Sequence, residues 1–302
     1  MGAATPPVID PRARSALRRL EWRLRRRAVQ TPLAGEYRSM FRGRGMEFDQ
    51  VVRYAYGDDI RDVDWNVTAR LGELYRKVFV EERELTIIAV VADSPSLQFG
   101  SGPLTKREVL FDLAGLTLML ALLNRERAGL LHLTPTGEVL HGPSRRRARI
   151  LSYLAALHGA EAPDPARAAP LQPQAVLPQT ILPKGALIVW LGDPPDTPPP
   201  TAWTALRRRH PMVALRVEDP WEREGPQASG FNAYDPTRGE LVWLEASAAT
   251  RQAHAAWRQN QARRWAEWWP DPRDRLAVCT TEDPLAALAG FLKGRAAQGA
   301  GR

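Results

Sequence analysis

Residues 36–84 concentrate the side chains that could do chemistry. Asp58, Asp59, Asp62 and Asp64 lie among Arg53, Arg61 and Arg70, with Trp65 between them and glycines at 43, 45, 57 and 72. Four carboxylates this close in sequence are a donor set that a metal-dependent hydrolase could use to activate water. The interleaved arginines point the other way, to ion pairs and charge-assisted hydrogen bonds that neutralise the acids. On that reading Gly57, Asp58, Asp59, Arg61, Asp62, Asp64, Trp65, Arg70, Lys77 and Glu82 form an interaction and structural motif, with no catalytic residue among them. Calcium is not expected here. Asp62, Asp64, Asn66 and Glu73 match EF-hand-like ligand spacing, but Val67 stands where the loop turn requires glycine.

A second candidate is the segment D-S-P-S-L-Q-F-G, which begins at Asp93 directly after an apolar run. A carboxylate and two hydroxyls at a strand's carboxyl end are hard oxygen donors, so Asp93, Ser94 and Ser96, with Asp193 after a later strand, could hold magnesium. The alternative is a helix-entry turn, since aspartate and serine also cap and proline stiffens. His132, His141, His158, His210 and His254 show no ligand spacing, and zinc is not expected. Trp257, Trp265, Trp268 and Trp269 interleave with Arg258, Arg263 and Arg264. Such a pattern can stack bases, but on a helix against a sheet it is core on one face and solvated arginine on the other. No G-x-S-x-G, P-loop or dinucleotide fingerprint occurs.

The elements that must position these groups follow from periodicity. Residues 85–92, L-T-I-I-A-V-V-A, predict a strand buried on both faces. Helices are expected over 105–124, from a serine cap over 144–158, and over 200–209, 247–269 and 284–292, with strands over 129–133, 186–191, 212–217 and 276–280. Residues 139–143 add a hairpin arm, and residues 230–234 and 240–244 form a hairpin around D-P-T-R-G. Small strands over 48–56 and 74–80 lie in the motif region, and the Ala- and Pro-rich residues 159–183 form a linker. Alternating strands and helices predict an α/β fold, a doubly wound mostly parallel sheet with ligands beyond the strands' carboxyl ends.

The chain has 302 residues, of which 44% are hydrophobic, enough for a real core. No run reaches the roughly 18 apolar residues of a membrane span, and no signal sequence is evident, so a cytoplasmic protein is expected. The single cysteine, Cys279, sits in an apolar run and is expected to be buried. A net charge of +8 invites nucleic acid or anionic membrane as partner, but much of the excess falls in the first thirty residues. There Leu17, Leu20 and Leu24 recur at helical spacing in a basic amphipathic helix. Its outcomes are docking on its own protein, contact with an anionic membrane, or a partner-binding arm.

G-E-Y-R-S-x-F-R-G-R-G-x-E-F-D from Gly35, Y-x-x-G-D-D-I-R-D-V-D-W-N-x-x-A-R from Tyr54, K-V-F-V-E-E-R-E-L from Lys77, and F-G at Phe99 together resemble the bacterial domain-of-unknown-function family 58. The resemblance extends through R-V-E-D-P-W-E at Arg216 and Y-D-P-T-R-G at Tyr234. It implies a von Willebrand factor A-like domain over residues 85–295, preceded by a small β-rich motif region over 31–84, to which the charge pattern adds the basic helix over 1–30. It also implies a protein-interaction role, as partner or adaptor of a MoxR-type AAA+ ATPase or its client, rather than an enzyme; a nucleic-acid or anionic-membrane binder through the basic N-terminal helix is the alternative, and a metal-dependent hydrolase on Asp58, Asp59, Asp62 and Asp64 the other. Many members carry an N-terminal membrane hairpin with no counterpart here. The metal-ion-dependent adhesion pattern D-x-S-x-S is degenerate: Ser94 and Ser96 match, its aspartate position is Ala92, and the carboxylate has moved to Asp93. A one-residue shift at a strand end turns the side chain to the other face. Magnesium would therefore need a turn that reorients Asp93 toward Asp193.

Overall fold

Residues 86–92 carry no polar side chain beyond Thr86, and a strand of that composition is stable only with both faces covered. They lie at the middle of a six-stranded sheet in the computed structural model, which describes residues 11–28, 50–55, 63, 65–78, 85–167, 171, 182–225, 230–235 and 238–299. The elements run α1 Pro11–Ala28, β1 Gln50–Arg53, α2 Trp65–Leu71, β2 Tyr75–Val78, β3 Thr86–Ala92, α3 Lys106–Leu123, β4 Arg127–Thr134, β5 Gly137–Ser144 and α4 Arg147–Gly159. They continue with β6 Leu187–Leu191, α5 Thr201–Arg209, β7 Met212–Glu218, α6 Pro220–Glu224, β8 Gly230–Asp235, β9 Glu240–Glu245, α7 Ala248–Trp268, β10 Arg275–Cys279 and α8 Pro284–Gly299.

The sheet order is β10-β7-β6-β3-β4-β5, parallel throughout except for β5 against β4. From β3 the chain builds outward through β4 and β5, then crosses back to lay β6, β7 and β10 on the other side. The order therefore reverses between β3 and β6, where ligands gather in open α/β sheets. Alternation along β3 divides the core. Ile87, Ala89 and Val91 face a layer with Leu110, Leu113, Leu154 and Leu288, from α3, α4 and α8. Ile88, Val90 and Ala92 face Trp203, Trp265, Trp268 and Trp269, from α5 and the end of α7. Three tryptophans of the aromatic and basic run are thus core, and Trp257 stays 37% exposed. Cys279 is buried, as its apolar run requires.

The expected strands and helices are present with small shifts. Ser144 does not cap α4: it closes β5, its hydroxyl accepts the Arg146 N–H at 3.1 Å, and the helix begins at Arg147. The serine is a turn former here, which the same side-chain chemistry allows. In the motif region β1 and β2 pair antiparallel. The helix α2 between them was not expected, and it takes up Trp65 and Arg70, both exposed. Glu73, placed above at the end of the calcium-like loop, is ion-paired with Arg53. Lys77 lies in β2. Gly57, Asp58, Asp59, Arg61, Asp62, Asp64 and Glu82 lie outside the described residues, as do 168–170 and 172–181 of the linker.

Of the three outcomes for the basic helix, the described residues show docking. Ala13, Ala16 and Leu20 are buried and Leu17 packs against the same core, while Arg14, Arg18 and Arg19 remain exposed. Helix α1 lies on α3 and α4, and Glu21 pairs with Arg147. Gly115 permits the close approach, because a Cβ there would run into a Leu20 methyl group. Among the described residues no helix is long and apolar enough to cross a membrane.

This docking has a consequence at His158, whose ring stands edge-on to Phe111. Burial, helped by the positive charges of Arg19 and Arg107, lowers its pKa to about 4. The folded state therefore holds His158 neutral where the unfolded chain binds a proton. Its contribution is fully present above the unfolded pKa of about 6.5 and is lost as pH falls toward about 4. Urea titrations across that window should show stability falling by up to about 3 kcal/mol from this residue. A His158→Phe variant should flatten the slope, and an unchanged slope would show that His158 is not the titrating group.

Candidate functional site

Beyond Ala92 the backbone continues alongside β4, with Asp93 N–H donating to Leu133 O at 2.8 Å. The Asp93 carboxylate is fully buried. Arg107 Nε donates to its Oδ1 and Oδ2 at 2.9 and 3.1 Å, and Arg107 Nη2 to Oδ2 at 2.7 Å. His132 Nε2 lies 3.0 Å from the same Oδ2. Arg107 also donates to the Ala160 and Glu161 carbonyls and lies over the Phe111 ring. The turn at Ser94 and Pro95, which leads into a 3-10 helix at Pro95–Gln98, leaves Asp93 committed to these partners.

Ser94, Ser96 and Asp193 do converge. The two serine hydroxyls are 2.8 Å apart, and Ser96 Oγ donates to Asp193 Oδ2 at 3.2 Å. Joining them is a residue not singled out from the sequence. Lys106 Nζ donates to the same Asp193 Oδ2 at 3.1 Å and to Glu222 Oε1 at 2.9 Å, with its side chain only 3% exposed. Thr105 fixes the start of α3 through a capping box with Glu108. Glu222 is placed by a second capping box, in which Asp219 accepts the Trp221 N–H and Glu222 accepts the Asp219 N–H, each at 2.9 Å.

The electrostatics follow from burial. For Lys106 burial favours the neutral amine, but Asp193 and Glu222 outweigh it and raise its pKa. Burial likewise works to raise Asp193, yet Lys106 and then Arg216 reverse it and hold the carboxyl below its ordinary range. Glu222 ends above its ordinary range, pushed up by burial and by Asp193 against the pull of Lys106.

These residues fit a resident ammonium better than magnesium. Magnesium needs six oxygens at about 2.0–2.1 Å in a near-octahedral shell. Here a lysine nitrogen lies on the shared Asp193 oxygen, and the Asp93 carboxylate is engaged by Arg107 and His132. Among the described residues no group of three or more His, Cys, Asp or Glu is disposed to hold a metal.

The cluster lines a groove of about 780 Å³. Phe99, Trp221, His254 and Trp257 line it as a continuous series of ring contacts, with successive centroids 5.7, 5.3 and 5.7 Å apart. The hairpin β8–β9 adds Ala233, Tyr234, Val242 and Leu244, and Trp190 lines it from β6. Arg216 and Arg264 also line it, paired with Glu218 and Asp196, and each retains an Nε–H without a partner among the described residues. The sequence held a signal for the missed cations. Lys106 and Arg107 occupy the first turn of a helix, where the macrodipole disfavours positive charge, so each needs a nearby carboxylate.

Among solved structures, the chain is similar to the conserved hypothetical protein BatB from Bacteroides thetaiotaomicron at 12% identity and a TM-score of 0.42, covering 72% of this chain and 100% of that one. It is also similar to the SpRpn10 VWA domain at 10% identity and a TM-score of 0.38, covering 71% and 95%. Uncharacterized proteins of Mycobacterium tuberculosis (Rv1480) and Mycobacterium bovis (Mb1516) are each 34% identical over 102 residues, which is 34% of this chain. The chain spans 32% of the length of these curated relatives. The fold is α/β, with a mostly parallel sheet covered on both faces. The family described as "Protein of unknown function DUF58" matches residues 50–264, more than half of the chain, and the protein belongs to that family.

Proposed function

We propose that this protein is a non-enzymatic interaction module that uses the groove at the carboxyl ends of β3, β6 and β7 to hold an extended segment of a MoxR-type AAA+ ATPase or of its client. The observation that carries the reading is the groove itself. It sits at the sheet's reversal point, its charged cluster is internally paired rather than poised for proton transfer, and it is lined by aromatic rings. Tryptophan and tyrosine surfaces of this kind bury large area at low entropic cost, which suits protein recognition. The choice of ATPase comes from the motif residues and their resemblance. The hydrolase alternative rests on Asp58, Asp59, Asp62 and Asp64 alone, and the nucleic-acid or membrane alternative loses ground because Leu17 and Leu20 of α1 pack into the core with α3 and α4.

Pull-down of a MoxR-type AAA+ ATPase, in apo, ATP and ADP states, is the test. Capture is expected in at least one state, and Trp257→Ala on the exposed rim should weaken it about tenfold or more. Failure in every nucleotide state would sink the partnership. Capture unaffected by Trp257→Ala would move the contact away from the groove.

A further inference from the structure

We infer that the Lys106 ammonium is a tethered cation that takes the place of a divalent ion at the carboxyl ends of β3 and β6, so that this groove operates without a metal. The inference does not depend on which partner enters the groove. Its first support is position. The oxygen that receives the ammonium, Asp193 Oδ2, also accepts the Ser96 hydroxyl, which in turn touches Ser94, so the lysine nitrogen joins the oxygens that a cation would gather. Glu222 completes the enclosure at 2.9 Å.

Its second support is what holds the lysine there. An ammonium in the first turn of α3 sits at the wrong end of the helix dipole and is almost fully buried. Two carboxylates offset both penalties. A divalent ion entering beside it would meet a fixed positive charge a few ångströms away in a poorly screened site, and the repulsion there is larger than at the surface. The third support is Asp93. Adjacent residues of α3 reach in two directions, Lys106 to Asp193 and Glu222, and Arg107 to Asp93, so the strand-end carboxylate is neutralised by a side chain as well.

The chemistry that follows is specific. An ammonium offers three N–H donors, and two are used by Asp193 and Glu222. The third has no partner among the described residues, and Lys106 lines the groove. Its ligand is therefore a hydrogen-bond acceptor on the incoming chain, and a neutral backbone or amide carbonyl suits it best.

Manganese serves as the probe, read by electron paramagnetic resonance and by thermal unfolding in manganese, magnesium or EDTA. The native protein is expected to bind no manganese at the site and to shift its Tm by less than about 1 °C, since a ligand that does not bind the folded state cannot stabilise it. Lys106→Met frees two carboxylates and two hydroxyls. That variant is expected to unfold earlier in EDTA and to gain about 5 °C in manganese at a hundredfold excess over its Kd. Adding Asp193→Asn should abolish the gain, and Lys106→Arg should remain insensitive to metal. Lys106→Gln supplies the same readout if the methionine variant does not fold in EDTA. Stoichiometric manganese binding by the native protein would overturn the inference. So would a neutral variant that gains no more from manganese than the native chain does. Neither readout involves the ATPase, so failure here and failure of the pull-down remain distinct.

Discussion

Asp93→Ala should lower the unfolding free energy by about 3–5 kcal/mol, measured by urea denaturation at neutral pH. The native carboxylate is fully buried and receives a two-pronged guanidinium from Arg107 at 2.7–3.1 Å, with His132 at 3.0 Å. Removing it leaves the Arg107 charge, 14% exposed, without its counter-ion. An uncompensated buried charge is the costly outcome, whatever the intact pair contributes net. The loss should spread, because the same guanidinium holds the Ala160 and Glu161 carbonyls just past α4. A double-mutant cycle with Arg107→Leu should recover part of the loss, since both members of the pair are then gone. A cost under about 1 kcal/mol for Asp93→Ala alone would show that the pair does not anchor this edge.

Trp190→Ala should cost a similar amount, about 3–5 kcal/mol, for a different reason. Trp190 is fully buried near the carboxyl end of β6, with Trp203 edge-on at 6.0 Å and Trp269 tilted at 5.7 Å. Deleting the indole opens a cavity among large rigid rings that have little room to collapse. The informative control is Trp190→Phe. The indole N–H has no partner among the described residues, so phenylalanine keeps an aromatic ring while removing a buried unsatisfied donor. That variant should cost less than about 1.5 kcal/mol. If both variants cost the same, cavity volume is not the cause, and the aromatic layer between the sheet and α7 packs differently.

These two residues also mark the boundary of what could be read in advance. Trp190 belongs to a run whose composition alone predicts a buried strand, and so do β3, β4 and β7. Burial on both faces leaves a local signature. The helix α3 was legible for the same kind of reason, since its apolar residues recur at helical spacing. The Ser94, Ser96 and Asp193 convergence was legible too, because carboxyl ends of parallel strands share one edge by topology.

What surrounds them was not legible. Lys106 meets Asp193 across 87 positions and Glu222 across 116, while Arg107 reaches Asp93 across 14. Periodicity reports which face a residue occupies and says nothing of a partner that far away. The shift of the carboxylate to Asp93 was visible as an anomaly in spacing, and two cations in a helix's first turn were visible as an unpaid dipole penalty. Joining those two facts required the fold.

Motifs spread from Gly35 to Gly239 pointed to the family, which matches residues 50–264, and residues 36–84 also predicted the small strands β1 and β2. By itself the sequence determined the α/β class, the positions of most elements and the edge where a site belongs, because strand and helix patterns are local and topology follows from their alternation. Only the tertiary structure decided the chemistry at that edge. Which charge neutralises which is set by distances between side chains brought together from β3, α3, β6 and α6, and there a lysine stands among the oxygens that a metal ion would need.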